Sequence, residues 1–280
     1  MERKTPESFS NALLRWFTCS LPMCIIVGAV NVHPDYPLIL AANRDEFYDR
    51  PSTYADFWPD NTDILGGRDL KAGGTWLGIN KRGKVAAITN YRDPQNISEE
   101  AKSRGSLSKD FLANDQLAAM KYLKQLQKEK ADYNGYNLLL FENGKGYHYS
   151  NYGSDITALK PGIFGLSNAL LDTPWPKVLR LKETFENLID TTFTHWDLLK
   201  MLEDDQVAPD ELLPSTGIPY EWEKAISSIC IKTENYGTCC STVLTLDRRG
   251  NLKFTERSFP VGARSNELKT YDVNTNTVNA

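Results

Sequence analysis

The chain has 280 residues and a formal net charge of -4 at pH 7, with 41% hydrophobic and 24% charged residues. This length can bury a substantial core, and the composition is that of an ordinary globular protein. The negative net charge and the scattered lysines and arginines exclude the basic footprint of a nucleic-acid-binding protein and favour a small ligand. Five cysteines without paired spacing exclude a disulfide framework, and three histidines without ligand spacing predict no metal site.

Residues 1–22 carry two basic residues near the start and a later apolar patch, but acidic residues interrupt any targeting signal. The apolar stretch from Leu13 to Val30 contains Arg15 and Pro22, whereas a membrane span needs about 20 predominantly apolar residues. We therefore expect a disordered leader or upstream-start extension at 1–22, and no transmembrane segment. A single domain at 23–265 and a C-terminal tail at 266–280 are expected to follow, in a cytoplasmic protein.

The first predicted elements are two short apolar runs, 24–30 and 38–42, on either side of a turn-prone segment. Both runs are rich in strand-forming residues, so they predict an antiparallel hairpin. Antiparallel pairing returns the end of the second strand to the start of the first. The sulfur of Cys24 is therefore expected within side-chain reach of Arg44 and Asp45, which makes Cys24 a candidate nucleophile with a cation and a carboxylate beside it.

The remaining elements alternate between hairpins and blocks of helix. Further strands are predicted at residues 75–79, 84–89, 137–142, 146–150, 162–167, 228–231, 238–246 and 252–259. Helices are predicted at residues 106–129, with a break near Asn114, at 175–189 and at 195–203, and a loop at 204–220. Because hairpins predominate and no regular βαβ alternation is present, the pattern predicts an α+β fold of largely antiparallel sheets with helices outside.

Several longer motifs carry a family resemblance that runs from about residue 23 to about 260. They are Cys24–Ile26, Leu38–Phe47, Arg50–Pro51, Asp56–Trp58, Gly73–Gly78, Thr89–Tyr91, Gly165–Asn168, Asp172–Lys177, Tyr236–Thr238 and Ser241–Val243. These segments resemble the NRDE family, also called the Transport and Golgi organisation 2 family, of the N-terminal nucleophile hydrolase-like superfamily. The resemblance implies an αββα sandwich, in which two largely antiparallel sheets lie between helical layers.

An N-terminal cysteine can supply both nucleophile and base, because its α-amine has an ordinary pKa of roughly 7.7 to 8. This chemistry requires that Cys24 become the first residue, and a small residue after Met23 favours removal of an initiator methionine. The resemblance suggests that Arg44 lowers the thiol pKa and that Asp45 either hydrogen-bonds the α-amine or orients Arg44. It also suggests Asn90 and Asn168 as oxyanion donors or substrate-positioning residues.

Each of these residues also has a structural interpretation. Arg44 and Asp45 fit a simple ion pair at the hairpin end, and the two asparagines fit turn or capping roles. Four further residues are predicted to bind substrate: Asn43, Glu46, Trp76 and Cys239. Trp76 also fits a place in the core. Family members commonly have arginine where this chain has Cys239, and the loss of that cation is expected to weaken, redirect or abolish hydrolysis.

Two functions remain open from the sequence. The first is an amidohydrolase that cleaves a non-peptide C–N bond through Cys24 and requires no cofactor. The second, implied by the resemblance, is a non-catalytic carrier or chaperone for haem, acyl-CoA or lipid, acting in haem trafficking, lipid homeostasis or Golgi organisation. Either function requires a small amphipathic or amide ligand. Haem enters only as a ligand, because no residue pattern identifies an axial iron ligand. Mitochondrial or Golgi association accompanies the second function.

Overall fold

The computed structural model describes residues 23–262 and 264–275. Its strands are β1 (Met23–Val30), β2 (Leu38–Phe47), β3 (Asp56–Trp58), β4 (Asn61–Gly66), β5 (Leu77–Asn80), β6 (Val85–Asn90), β7 (Tyr136–Glu142), β8 (Lys145–Ser150), β9 (Thr157–Ala158), β10 (Gly162–Leu166), β11 (Tyr236–Leu246), β12 (Asn251–Ser258) and β13 (Glu267–Asn274). Its α-helices are α1 (Gly105–Ala113), α2 (Ala119–Lys128), α3 (Pro176–Ile189), α4 (His195–Met201) and α5 (Tyr220–Ala225). Short 3-10 helices lie at Lys130–Asp132 and Asp210–Leu212. The predicted leader at 1–22 lies outside the described residues.

The strands form two sheets in which every pair is antiparallel. The first sheet has six strands in the order β10-β1-β2-β11-β12-β13, and the second has seven in the order β3-β4-β5-β6-β7-β8-β9. The second sheet is a meander of consecutive neighbours. In the first sheet, β1 and β2 are both interior strands, and the candidate nucleophile is the second residue of β1, in which every residue is buried.

Alternation of side chains along each strand builds a separate core on each face of a sheet. In β1, Ile26 packs between the two sheets, whereas Ile25 and Val27 pack against α3 and α4. In the second sheet, the outward faces of β6, β7 and β8 pack against α1 and α2. The order of layers is therefore helix, sheet, sheet, helix, which confirms the predicted αββα sandwich.

Local sequence explains where the helices of the first outer layer begin and which face they bury. Pro176 starts α3, where its missing N–H costs no hydrogen bond, and the buried residues Val178, Leu181 and Phe185 follow at helical spacing. Thr194 and Asp197 form a capping box at the start of α4. These two helices cover the face of β1 and β2 behind the candidate nucleophile.

The structure differs from the predicted elements in three places. Within the predicted tail at 266–280, residues 267–274 form β13, which pairs with β12 along its whole length. Residues 228–231 do not form a strand, because the Ser228 hydroxyl bonds the Cys230 carbonyl at 2.9 Å and the Cys230 N–H bonds the Asp204 carbonyl at 2.7 Å. The short strands β3 and β4 lie in a polar segment that shows no alternating pattern.

The predicted break in the first helical block is confirmed, since α1 ends at Ala113 and α2 begins at Ala119. Within the described residues, no helix is both long and apolar enough to cross a membrane.

Candidate active site

The register of the first hairpin places Cys24 directly opposite Arg44 and Met23 opposite Asp45. The predicted antiparallel hairpin is therefore confirmed, and within it Cys24 lies beside Arg44. Because neighbouring residues of a strand point to opposite faces, Arg44 and Glu46 share the face between the sheets, whereas Asp45 points towards the helices. The hairpin therefore carries charged side chains on both of its faces.

A cavity of about 480 Å³ opens at this end of the hairpin, between the two sheets and the start of α1. Five of the predicted site residues line it: Cys24, Arg44, Glu46, Trp76 and Asn90. Arg104 also lines the cavity, although no sequence pattern marked it, and its guanidinium donates to the Gly135 carbonyl at 3.1 Å. The cavity therefore brings the candidate thiol together with two amide side chains, an indole ring and three guanidinium groups.

Arg44 is held firmly in the cavity wall. Its Nη2 lies 3.4 Å from Glu46 Oε2, and its guanidinium carbon lies 4.3 Å from the centre of the Trp76 ring. Arg50 continues the network, with its Nε 3.6 Å from Glu46 Oε2 and 2.7 Å from Asp69 Oδ2. The carboxylate partner of Arg44 is therefore Glu46, so the simple ion pair between Arg44 and Asp45 does not form.

Asp45 is fully buried on the opposite face. Its Oδ1 accepts a hydrogen bond from the Thr238 hydroxyl at 2.6 Å, whereas its Oδ2 is buried without a hydrogen-bond partner in the structure. Burial raises the pKa of Asp45 to about 7, and the positive charge of Lys177 and the Thr238 hydrogen bond oppose the rise. An unpartnered buried carboxylate oxygen is costly, so this atom marks a place where a donor is missing.

The Cys24 thiol is buried, with 8% of the residue exposed. Burial raises its pKa to about 12, and the negative charge of Asp45 adds to the rise. A backbone hydrogen bond from Asp45 and the charge of Arg44 lower the pKa by less. Arg44 therefore acts in the predicted direction, but burial outweighs it while residue 23 is attached.

Met23 fills the space behind the thiol. It packs against Ile226, Ile231 and Tyr236, and its N–H donates to the Tyr236 hydroxyl at 2.7 Å. Arg92 Nη2 lies 2.9 Å from the Met23 sulfur. Residue 23 is thus enclosed by polar groups as well as by apolar side chains.

The two predicted asparagines occupy different positions. Asn90 lines the cavity at the end of β6, whereas Asn168 lies behind it and donates from Nδ2 to the Asn90 carbonyl at 3.0 Å. The Asn168 carbonyl accepts from the Arg92 N–H at 2.7 Å. The Ser167 hydroxyl is 3.0 Å from the Cys24 carbonyl and 3.1 Å from Asn168 Oδ1. Asn168 therefore fixes the backbone that carries Asn90 and joins it to the start of β1.

Asn43 lies on the helix-facing side of β2, away from the cavity. Its Nδ2 donates to the carbonyls of Leu202 and Ile229, each at 2.9 Å, and its Oδ1 accepts from the Ser241 hydroxyl at 2.5 Å. These bonds tie the central strands to two connecting segments. The geometry gives this residue a bracing position rather than a place on the cavity wall.

Cys239 is buried where β11 shifts register against β2. Its sulfur lies 3.5 Å from the Gly237 carbonyl and 3.7 Å from the Glu46 carbonyl. Burial raises its pKa to about 11, against the positive charges of Arg44 and Arg264. Arg264, from the β12–β13 connection, also bonds Ser52, which accepts from Arg44 at 3.4 Å. The positive charge of Arg264, from a distant part of the chain, therefore acts on the Cys239 thiol.

Together, these features define an αββα protein in which a cysteine, the second residue of the first described strand, pairs with an arginine at the edge of a cavity. The chain belongs to the Transport and Golgi organisation 2 family, whose family model matches residues 23–260. A human Transport and Golgi organization protein 2 homolog is 40% identical over 273 residues, covering 89% of this chain and 98% of that protein. Transport and Golgi organization protein 2 of Drosophila melanogaster is 28% identical, covering 84% of this chain and 92% of that protein.

Two solved structures also show similarity to the chain. An N-acylethanolamine-hydrolyzing acid amidase ortholog from Caenorhabditis elegans has a TM-score of 0.39 and 12% identity, covering 79% of this chain and 92% of that chain. A variant of the conjugated bile acid hydrolase from Clostridium perfringens has a TM-score of 0.37 and 10% identity, covering 90% of this chain and 85% of that chain. These similarities assign no activity to the present chain.

Proposed function

We propose that the chain is a hydrolase of non-peptide C–N amide bonds when Cys24 is its first residue. The observation that carries this proposal is the buried Asp45 Oδ2, which lacks a donor beside the point where residues 23 and 24 join. Removal of Met23 would convert the Cys24 backbone nitrogen into an amine with additional donors and would vacate the space beside Asp45. The α-amine of Cys24 is then the missing partner of this carboxylate.

In the proposed reaction, the thiol proton passes to the α-amine and the sulfur bonds to the amide carbonyl carbon. The amine then delivers this proton to the nitrogen of the substrate, and the C–N bond breaks to leave a thioester on Cys24. Water attacks the thioester, with the amine accepting a water proton and returning it to the sulfur. Asn90 is the proposed donor to the oxyanion, and Arg44 is the proposed electrostatic partner of the thiolate.

The second candidate function is a carrier of an amphipathic ligand, haem or an acyl-CoA. The cavity favours it, because the apolar side chains of Trp76, Ile88 and Ile97 lie beside the cationic side chains of Lys71 and Lys102. Such a wall suits a molecule with an apolar body and a charged group. Haem trafficking, lipid homeostasis or Golgi organisation, from a cytoplasmic location, belongs with this second proposal.

Variants of Cys24, in a chain whose translation starts at Met23, separate the two functions. Cys24→Ser keeps an attacking oxygen and the α-amine, but its hydroxyl is far less acidic, so kcat/KM should fall by about two orders of magnitude or more. Cys24→Ala should abolish turnover. Cys230→Ala, which removes another buried thiol, is the matched control and should keep its activity.

The assay follows release of amine from a panel of fatty-acyl amides, with haem and palmitoyl-CoA transfer measured on the same preparations. Intact mass identifies the first residue in each preparation. Turnover that depends on Cys24 supports the hydrolase. Ligand transfer that is unchanged in Cys24→Ala, with no turnover in a wild-type chain that begins at Cys24, would overturn it in favour of the carrier.

A further inference from the structure

Lys177 is a buried cation for which the proposed reaction gives no role. It is the second residue of α3, is 2% exposed, and donates from Nζ to the Ile226 carbonyl at 3.0 Å. An ammonium group has three donors, and this carbonyl is the one hydrogen-bond acceptor that the described residues give it. A buried ammonium with unused donors needs a nearby negative charge.

That negative charge is Asp45, on the strand that α3 covers. Asp45 attracts the charge of Lys177 without forming an ion pair in the described structure, and its Oδ2 has no donor. Burial lowers the pKa of Lys177 to about 8, against the attraction of Asp45. Lys177 bonds the carbonyl of Ile226, a residue that packs against Met23, and Met23 pairs with Asp45 across the hairpin. The incompletely bonded ammonium and the incompletely bonded carboxylate therefore both lie next to residue 23.

The other charges around this space largely cancel. Arg92 Nη1 lies 2.7 Å from Glu223 Oε2, and both side chains are buried. The guanidinium of Arg44 is paired with the Glu46 carboxylate at 3.4 Å. Among the described residues, the titratable groups that interact electrostatically with Cys24, Asp45 or Lys177 include, by element, Arg44 and Glu46 of β2, Tyr48 after β2, Arg92 after β6, Arg104 before α1, Glu223 of α5, Cys230 before β11, and Tyr236 and Cys239 of β11.

We infer that Lys177 is a positioning residue that keeps the α-amine of Cys24 unprotonated at neutral pH. This inference rests on the proposed function, in which that amine is the base. Once Met23 is removed, two ammonium groups compete for the single carboxylate of Asp45. Because Lys177 is fixed in the helix that covers this carboxylate, its charge disfavours a second positive charge beside it. The amine is then ready to accept the thiol proton.

The positive charge of Lys177 determines the direction in which the pKa of the α-amine changes. A neighbouring cation lowers the pKa of an amine, so loss of the Lys177 charge should raise the α-amine pKa and move the acid limb of the kcat/KM profile to higher pH. An upward shift of about 1 pH unit is expected for the loss of one nearby unit charge in a partly screened interior. Below the limb, this shift corresponds to about a ten-fold lower kcat/KM.

The test uses Lys177→Met, which removes the charge, and Lys177→Arg, which keeps it. Lys182→Met is the matched control, because Lys182 lies on the same helix and pairs with Asp172 at the surface. The pH profile of kcat/KM is measured with a fluorogenic fatty-acyl anilide in chains that begin at Cys24. Lys177→Met should shift the acid limb upwards, whereas Lys177→Arg and Lys182→Met should keep the wild-type limb.

Direct titration of the α-amine tests the inference without measuring turnover and without using the Lys177→Met variant. In a Cys24→Ala chain grown with isotope-labelled alanine, the first residue carries an amine and no thiol, so its Cα chemical shift follows the amine alone. With Lys177 present, the amine pKa should lie below the ordinary range of roughly 7.7 to 8.

An amine pKa within or above that range would overturn the role of Lys177. The role of Lys177 would also be overturned if Lys177→Met lowered the maximum kcat/KM without shifting the acid limb of the pH profile. A lysine with a purely structural role would give that result. Absence of Cys24-dependent turnover on the amide panel would instead defeat the proposed function, and the amine titration would still report on the charge effect.

Discussion

Attachment of residue 23 should make the thiol of Cys24 unreactive towards alkylating reagents. In the chain with Met23 in place, burial raises the thiol pKa from its ordinary value of 9.0 to about 12. Since the thiolate is the species that alkylates, its population at pH 7 should be about three orders of magnitude below that of an exposed cysteine. The 8% exposure of Cys24 adds a steric barrier to the reagent.

Iodoacetamide labelling followed by peptide mass spectrometry measures this effect site by site. The full 280-residue chain is compared with a chain translated from Met23 and confirmed by intact mass to begin at Cys24. Once the α-amine is free, it can take the thiol proton, and labelling of Cys24 should accelerate by about 100-fold or more. Cys230, Cys239 and Cys240 are internal controls, because their burial does not depend on the first residue.

Equal labelling rates for Cys24 in the two chains would refute the coupling of thiol and amine. An upward change at all four cysteines would indicate a general loosening of the fold instead. In a chain that begins at Cys24, Arg44→Met should slow labelling of this thiol, because its positive charge lowers the thiol pKa.

Two further predictions concern stability. Glu223→Gln leaves the buried Arg92 guanidinium without its carboxylate, so chemical denaturation should show the free energy of unfolding reduced by about 3 to 5 kcal/mol. Asp132→Asn, in the exposed pair with Lys102, should cost about 1 kcal/mol or less, and equal losses would contradict the argument. Burial lowers the pKa of His148 to about 4, so the unfolded chain binds this proton first as pH falls below about 6.5. Stability should therefore fall between about pH 6.5 and 4, and thermal unfolding of His148→Gln should show a shallower fall; an unchanged slope would exclude the histidine as a cause.

The sequence by itself determined the first hairpin and the layered class of the fold. Two strand-forming runs around a short turn leave little choice of pairing, and antiparallel pairing alone brings Cys24 beside Arg44. The spacing of apolar residues likewise identified α3 and the break between α1 and α2. These features depend on local propensity and on a repeat of two or of about 3.6 residues, and both can be read along the chain.

Only the tertiary structure decided which residues complete the candidate site. Strand alternation separates Arg44 from Asp45, so the cavity and the buried carboxylate lie on opposite faces of one strand. Lys177 reaches Asp45 because α3 packs over β2, and Arg264 reaches Ser52 because β13 returns to the edge of the first sheet.

The strand β13 likewise could not be predicted from the sequence alone. Its buried residue Val273 joins the core between the sheets, while residues such as Leu268 remain exposed, so its pattern is weak without its partner β12. Contacts between distant segments are set by how the layers pack, and no local pattern in the sequence records that packing. The sequence therefore determined the candidate nucleophile and its strand, whereas packing of the helices and the edge strand determined its electrostatic surroundings.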